Sequence, residues 1–337
     1  MAGSRPRVGI TMGDAAGIGP EITVKCLRAS DVYEMCDPVV LGDARVIRQA
    51  IEMTGAALKV RSIRRPEEAA PRHGVVDVID YENVDPATCQ MGVVKASNGQ
   101  AAVLYTKEAG RMCLDGRLEA MVSAPLNKES MRAAGYHYEG QTEILAELCG
   151  VKRHGMALIL GRLRIMLLTN HMSLREAVDR VKRERVEMMI DLAWDLLDFI
   201  GVADPVIAVS GLNPHAGEGG LFGHEEVAEI APAVASRQRK GINVVGPLPP
   251  DTVFHRANQG EFSLVVAMYH DQGMMAAKLL GFGSAVTLLA GLPIIRASVG
   301  HGTAFDIAGQ NKAEDRNLYE AIKLAAELGA KKGGGAR

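Results

Sequence analysis

Val206-Ile207-Ala208-Val209-Ser210-Gly211-Leu212-Asn213-Pro214-His215 decides the fold. Its first half is apolar almost throughout rather than at alternate positions, the pattern of a strand covered on both faces, as in a parallel sheet. Its second half is a turn-prone run that delivers a histidine, and an amphipathic helical pattern follows over Glu225–Arg239. Strand, loop and helix in that order are one unit of an α/β protein.

The same succession recurs along the chain. Further strands are expected at Val8–Met12, Pro38–Leu41, Val75–Ile79, Ala120–Ser123, Met156–Leu160, Ile165–Thr169, Ile242–Val245 and Leu264–Tyr269. Helices are expected at Pro20–Ala29, Ala44–Thr54, Gln100–Leu114, Gln141–Cys149, Leu174–Ile200 and Asn317–Lys331. This alternation predicts a mostly parallel sheet, and a length of 337 residues favours two domains. Arg64–Arg72 reads as an exposed loop and Lys332–Arg337 as a frayed tail.

Composition narrows the function. At 47% hydrophobic and 23% charged the chain has a core to bury, which excludes disorder and coiled coil. A net charge of -2 excludes bulk attraction to nucleic acid or an anionic membrane, so an anionic ligand must be held by local charge. Aromatic residues, at 4%, are too few for a base-stacking platform. Cys26, Cys36, Cys89, Cys113 and Cys149 are odd in number and scattered, which reads as reduced thiols in a cytoplasm. No apolar run reaches the ~18 residues of a membrane span, and Met1–Arg7 is short and polar, so no export signal is expected.

His171, His215 and His270 each follow a predicted strand. Ligands of a parallel sheet bind beyond the carboxyl ends of its strands, so all three imidazoles are sent toward the functional edge. Three neutral nitrogen donors leave positions open on a divalent ion, as a catalytic metal requires; the alternative is three polar residues that merely close strands. Asn213–Gly220 is a glycine-rich loop through which backbone can approach a ligand. Lys278, on a helix after His270, and Arg296, ending the run Leu292–Ile295, supply a point charge and a bidentate fork for a phosphate or carboxylate. After the first strand, Gly19-Pro20 gives a sharp helix start whose amides can face an anion. No G-x-G-x-x-G fingerprint occurs in a strand-to-helix turn, so a conventional dinucleotide fold is not supported. Lys128, after Ser123-Ala124-Pro125-Leu126-Asn127, is a candidate acid/base group or substrate clamp.

Six motifs in collinear order, over about residues 6 to 330, resemble the 4-hydroxythreonine-4-phosphate dehydrogenase family. They are Met12-Gly13-Asp14 with Gly17-Ile18-Gly19-Pro20-Glu21, Ser123–Lys128, Asn213-Pro214-His215-Ala216-Gly217-Glu218, Pro249-Pro250-Asp251-Thr252, Tyr269-His270-Asp271-Gln272-Gly273 and His301–Gly309. The last also resembles the nucleotide loop of isopropylmalate and isocitrate dehydrogenases. The resemblance implies two α/β/α lobes with mostly parallel sheets and an active-site cleft between them, in a cytoplasmic homodimer with a shared active site. The lobes are expected at 1–128 with 275–337, carrying the NAD loop, and at 129–274, carrying the histidines. It implies one divalent ion per subunit (zinc, magnesium or cobalt) on His171, His215 and His270. Substrate contacts fall on Gln141, Thr142, Lys278, Thr287 and Arg296. NAD or NADP falls on His301, Gly302, Thr303, Ala304 and Asp306, and proton handling is assigned to Asp251 and Lys128.

The activity so implied is NAD-linked oxidation and decarboxylation of a phosphorylated β-hydroxy acid. The substrate is 4-hydroxythreonine 4-phosphate, as in pyridoxine biosynthesis, or a close analogue such as threonate or erythronate 4-phosphate. The chain departs from the family pattern at Gln141, where the family has His, at Thr287, where it has Asn, and at Gly300, where it has Asp. Neither Gln nor Thr can carry a positive charge toward a phosphate, so the substrate shell is the altered part. Two rivals follow: a decarboxylating cis-dihydrodiol dehydrogenase of terephthalate-type aromatic acids, and a three-histidine metal hydrolase or lyase without NAD.

Overall fold

The continuous apolar runs form most of the strands, and among the described residues each strand packs against a helix. The structure is a computed structural model and describes residues 5–281 and 283–334. Residues 1–4 of the expected polar N-terminus and 335–337 of the expected tail lie outside the described residues. The described residues divide into two compact units, 1–152 with 292–337, and 153–291.

In the first unit the strands are β1 (Arg7–Thr11), β2 (Asp37–Gly42), β3 (Lys59–Ile63), β4 (Val75–Asp80), β5 (Ala120–Ser123) and β12 (Arg296–Ser298), numbered along the whole chain. Their spatial order is β3-β4-β2-β1-β5-β12, and every pairing is parallel. The helices Ala96–Leu114 and Arg316–Gly334 both pack on β1 and β5. Val8 to Thr11 are buried at both pleat faces, which is why β1 reads as an unbroken apolar run. Gly99 lets the helix Ala96–Leu114 lie against Lys128–Ala133, since a Cβ there would stand 2.0 Å from the Ser130 carbonyl oxygen.

The second unit holds β6 (Gly155–Leu160), β7 (Leu163–Leu167), β8 (Ile207–Ser210), β9 (Val244–Leu248), β10 (Leu264–Ala267) and β11 (Val286–Ala290). Their order is β11-β6-β7-β10-β8-β9. β6 is antiparallel to both of its neighbours, while β7, β10, β8 and β9 run parallel. The mostly parallel α/β architecture expected from the sequence is present.

Several elements differ from expectation. The expected helix Leu174–Ile200 is two helices, Leu174–Asp179 and Arg183–Phe199. Lys182 is extended, and the Glu229 carboxylate accepts the Arg183 N–H at 2.8 Å, capping a second helix start. The expected helix Glu225–Arg239 begins as a π-turn, Glu226–Ile230, before the α-helix Ala231–Gln238. Pro232 has no N–H to give an i−4 carbonyl, so the ladder widens there. The last helix runs on to Gly334, through the start of the stretch read as a frayed tail. The strands β3, β11 and β12 were not expected, and Arg296, read as the end of the apolar run Leu292–Ile295, opens β12.

Candidate active site

The order β7-β10-β8 explains why three distant histidines share an edge. These neighbours are parallel, so the segments leaving them depart from the same side of the sheet. His171 lies four residues beyond β7, His270 opens the helix His270–Gly281 after β10, and His215 lies five beyond β8. The rings of His171 and His270 are 5.0 Å apart between centroids. Among the described residues no group of three or more His, Cys, Asp or Glu side chains stands close enough to hold one ion, so His215 is not joined to that pair.

Each of two imidazoles is oriented by a carboxylate. Nδ1 of His270 lies 2.7 Å from Oδ1 of Asp271, and Nδ1 of His215 lies 2.7 Å from Oε1 of Glu218. With Nδ1 donating, Nε2 keeps its lone pair, which is how a ligating histidine is commonly held. Beside His171, Oδ1 of Asn170 is buried without a partner among the described residues. This donor chemistry fits a borderline divalent cation.

The loop bearing His215 is held against backbone preference. His215, Ala216 and Glu218 have φ of 52°, 57° and 43°, and three glycines among them continue the left-handed run to Gly220. Each non-glycine residue there costs about 1–2 kcal/mol. The buried Glu226 carboxylate opposes that cost by accepting the N–H groups of Leu212 at 2.8 Å and Asn213 at 2.7 Å, and the Asn213 side-chain amide at 2.9 Å. Gln272 ties the ends of two strands together: its Oε1 accepts the Met268 N–H and its Nε2 donates to the Gly211 carbonyl. Glu226 was missed in the sequence, where nothing marks it off from the other acidic residues of its helix; Gln272 stood in the motif Tyr269–Gly273 but was given no role.

In the first unit four loops converge beyond the carboxyl end of β1. Asp14 is fully buried, and its Oδ1 accepts the Ala16 N–H at 2.9 Å while its Oδ2 has no hydrogen-bond partner among the described residues. Burial raises its pKa, against the opposing pull of the Ala16 N–H and the neighbouring Ser130 hydroxyl. The Ile18 N–H donates to the Thr303 carbonyl at 3.0 Å, the Gly92 N–H to the Ala16 carbonyl at 2.8 Å, and Asn127 Nδ2 to Thr303 Oγ1 at 3.4 Å. The segment His301 to Asp306 is thereby seated on the glycine-rich turn after β1. Nε2 of His301 is buried without a hydrogen-bond partner among the described residues. Gly302 and Asp306 are exposed, Thr303 is buried and Ala304 is half-buried.

Arg296 is the chief electrostatic feature of this unit. Its side chain is buried, its Nε donates to Ser123 Oγ at 3.2 Å, and it forms no ion pair among the described residues. Burial pushes its pKa down to about 10, which Glu143 nearby only partly offsets. Gln141 opens the helix Gln141–Leu148 and donates from Nε2 to the Ala124 carbonyl at 2.9 Å, and its buried Oε1 has no partner among the described residues. Arg296 and Gln141 thus flank the end of β5, with Thr142 half-buried beside them. Lys128 is exposed at the start of a helix capped by Asn127, whose Oδ1 accepts the Ser130 N–H. In the second unit Thr287 is buried on β11, while Lys278 and Asp251 are exposed on their helices.

Comparison with known proteins agrees with this frame. A D-threonate 4-phosphate dehydrogenase of Cupriavidus necator is 44% identical over 98% of this chain and all of its own length. The crystal structure of a 4-hydroxythreonine-4-phosphate dehydrogenase from Klebsiella pneumoniae superposes with a TM-score of 0.91 at 41% identity, covering 98% of this chain and 99% of that one. A terephthalate 1,2-cis-dihydrodiol dehydrogenase from Burkholderia xenovorans follows at 32% identity and a TM-score of 0.65, covering 96% and 98%. The chain is an oxidoreductase of the dehydrogenase class, acting on a CH–OH group. Residues 34–325 match the model of the pyridoxal phosphate biosynthetic protein PdxA, and the chain belongs to that family. No helix among the described residues is long and apolar enough to cross a membrane.

Proposed function

We propose that this chain oxidises and decarboxylates a phosphorylated β-hydroxy acid of the threonate 4-phosphate or 4-hydroxythreonine 4-phosphate type, using NAD and one divalent ion. Arg296 carries the reading. A buried guanidinium that forms no ion pair among the described residues, with Glu143 only partly offsetting its burial, calls for an anion from outside the chain, and a phosphate or carboxylate fits its fork bidentately. The names and identities of the relatives support the phosphorylated four-carbon acid.

In the first unit Gln141 Oε1 and Thr142 supply hydrogen bonds to hydroxyls, and the family resemblance adds Lys278 and Thr287 to the substrate contacts. His171, His215 and His270 would hold the ion through Nε2. His301 to Asp306 would hold the nucleotide, with the unpartnered His301 Nε2 as its most direct support. The chemistry these groups would supply when bound is Lewis-acid polarisation of an oxygen by the ion and a hydride acceptor in the nicotinamide. Asp251 takes the hydroxyl proton, and Lys128 returns one to the carbon that has lost carbon dioxide.

The working form in this reading is a homodimer. Met172, Leu174, Leu221, Phe222, Met275 and Leu279 are exposed apolar residues on the histidine-bearing segments, Leu279 at 88%. A second copy covering them would also bring an imidazole to complete the three-ligand set. Five free cysteines suit a reducing cytoplasm.

The test is NADH formation by metal-loaded protein with D-threonate 4-phosphate and with 4-hydroxythreonine 4-phosphate, beside a chelated control. Metal-dependent turnover of either is expected. Turnover of a terephthalate dihydrodiol alone would overturn the phosphate reading, and turnover undiminished by chelation would overturn the metal.

A further inference from the structure

The helix Ala96–Leu114 carries a stripe that neither the fold nor the proposed reaction uses. Ser97, Gln100, Leu104, Lys107 and Arg111 follow one another at helical spacing, and with Asn83 and Tyr136 they line a cavity of about 360 Å³. That volume falls in the range of small-ligand sites, roughly 300–1,000 Å³.

No carboxylate lines the cavity. Lys107 is half-buried and forms no ion pair among the described residues. Its ammonium lies 5.6 Å and 5.4 Å from the ring centroids of Tyr136 and Tyr138 and donates to the Tyr138 hydroxyl at 3.3 Å. Two tyrosine faces attract a cation, and the Tyr138 hydroxyl in turn donates to Glu147 at 2.8 Å, so the nearest carboxylate reaches Lys107 only through that hydroxyl. Arg111 is bound to Glu108 through NH1 only, so four of its five N–H donors are unengaged among the described residues. Oδ1 of Asn83 is taken by the Tyr105 hydroxyl, which leaves its amide N–H groups to donate. Ser97 and Gln100 are exposed donors at the mouth, while Val103 and Leu104 give an apolar wall. None of the lining residues is among the partners of Arg296 or Gln141.

From two cations, three neutral donors and an apolar wall, we propose that this cavity is a second anion site, taking a small organic phosphate or carboxylate with a compact apolar body. A phosphate meets Lys107 and Arg111 as charge-assisted donors, while the body lies on Leu104 and Tyr136.

The probe is phenyl phosphate, titrated calorimetrically into the full chain. Arg296→Met removes the anion demand of the proposed active site, and that variant is expected to retain one saturable equivalent. Adding Lys107→Met with Arg111→Met is expected to weaken this binding about 10-fold or more. On the otherwise unaltered chain the same pair should leave NADH formation unchanged. Should the double substitution disturb folding, Gln100→Glu places a like charge at the exposed mouth and should weaken binding comparably with an unaltered melting temperature. The proposal is overturned if Arg296→Met shows no saturation at millimolar phenyl phosphate. It is equally overturned if neither the Lys107 and Arg111 pair nor Gln100→Glu changes the affinity more than about twofold.

Discussion

Arg296→Met should move stability and activity in opposite directions. Burial holds the guanidinium pKa at about 10, two to three pH units under its ordinary value, and keeping it charged at neutral pH therefore costs about 3 kcal/mol. The side chain returns about 1 kcal/mol through the Nε bond to Ser123 Oγ. Methionine fills a similar volume without charge, so the variant should gain about 2 kcal/mol, or roughly 4–8 °C in Tm for a unit of this size. The sign is that of a base with a depressed pKa: the penalty is present at every pH below about 10 and fades as the group deprotonates above it. The gain should fade in step. Catalysis should suffer instead, because a bidentate charge-assisted contact to substrate is lost and kcat/KM for a phosphorylated acid should fall about 100-fold or more. Thermal melts in anion-free buffer and NADH formation against substrate concentration read the two effects. A variant that melts below the parent, or that keeps its kcat/KM, refutes the reasoning.

Gly17→Ala places a Cβ 2.9 Å from Thr303 Cβ and 3.0 Å from the Thr303 carbonyl oxygen, so the seated loop must shift. We expect about 1–3 kcal/mol of lost stability and a raised KM for NAD with kcat less affected, read by nucleotide titration. Glu226→Gln keeps the volume but weakens the acceptor that holds Leu212 and Asn213, and should lower metal affinity about 10-fold in a chelator competition. Asp43 is buried, which alone would raise its pKa, yet hydrogen bonds from the Arg45 side chain and the Val84 and Arg45 N–H groups hold it below the usual carboxylate value. Its stabilisation is therefore present above that value and lost as pH falls through the depressed one. Asp43→Asn should cost about 1–3 kcal/mol in urea at neutral pH and converge with the parent in acid.

The fold was legible where burial is complete. β5 falls where the apolar run Ala120–Ser123 placed it, and β1, β2, β4 and β8 within a residue or so, because a strand covered on both faces cannot hide its composition. β3 was illegible: Lys59, Val60, Arg61, Ser62 and Ile63 lie at a sheet edge where only Ile63 is buried, and the run reads as polar. β12 is three residues long, and its first is a buried arginine, a residue type that argues for a loop. The break between Asp179 and Arg183 carries neither Gly nor Pro; the carboxylate that caps its far side is Glu229, supplied by a residue distant in sequence. Long-range caps of this kind leave no local trace.

The site divides along the same line between local pattern and tertiary contact. His171, His215 and His270 could be singled out because a histidine after an apolar strand is a local pattern, and β7, β10 and β8 prove to be neighbours that aim them to one edge. What holds them there was not local: Glu226 acts on backbone 13 and 14 residues away, and Gln272 on a carbonyl 61 residues away. The same holds at Arg296. As a residue type it suggested anion binding, but only burial and the missing ion pair distinguish it from a solvated arginine. The costs found here, three non-glycine residues in left-handed backbone at the His215 loop and one unneutralised guanidinium, fall on residues assigned to ion and substrate. A chain selected for stability alone would have removed both, so their survival is itself a reason to place the chemistry there.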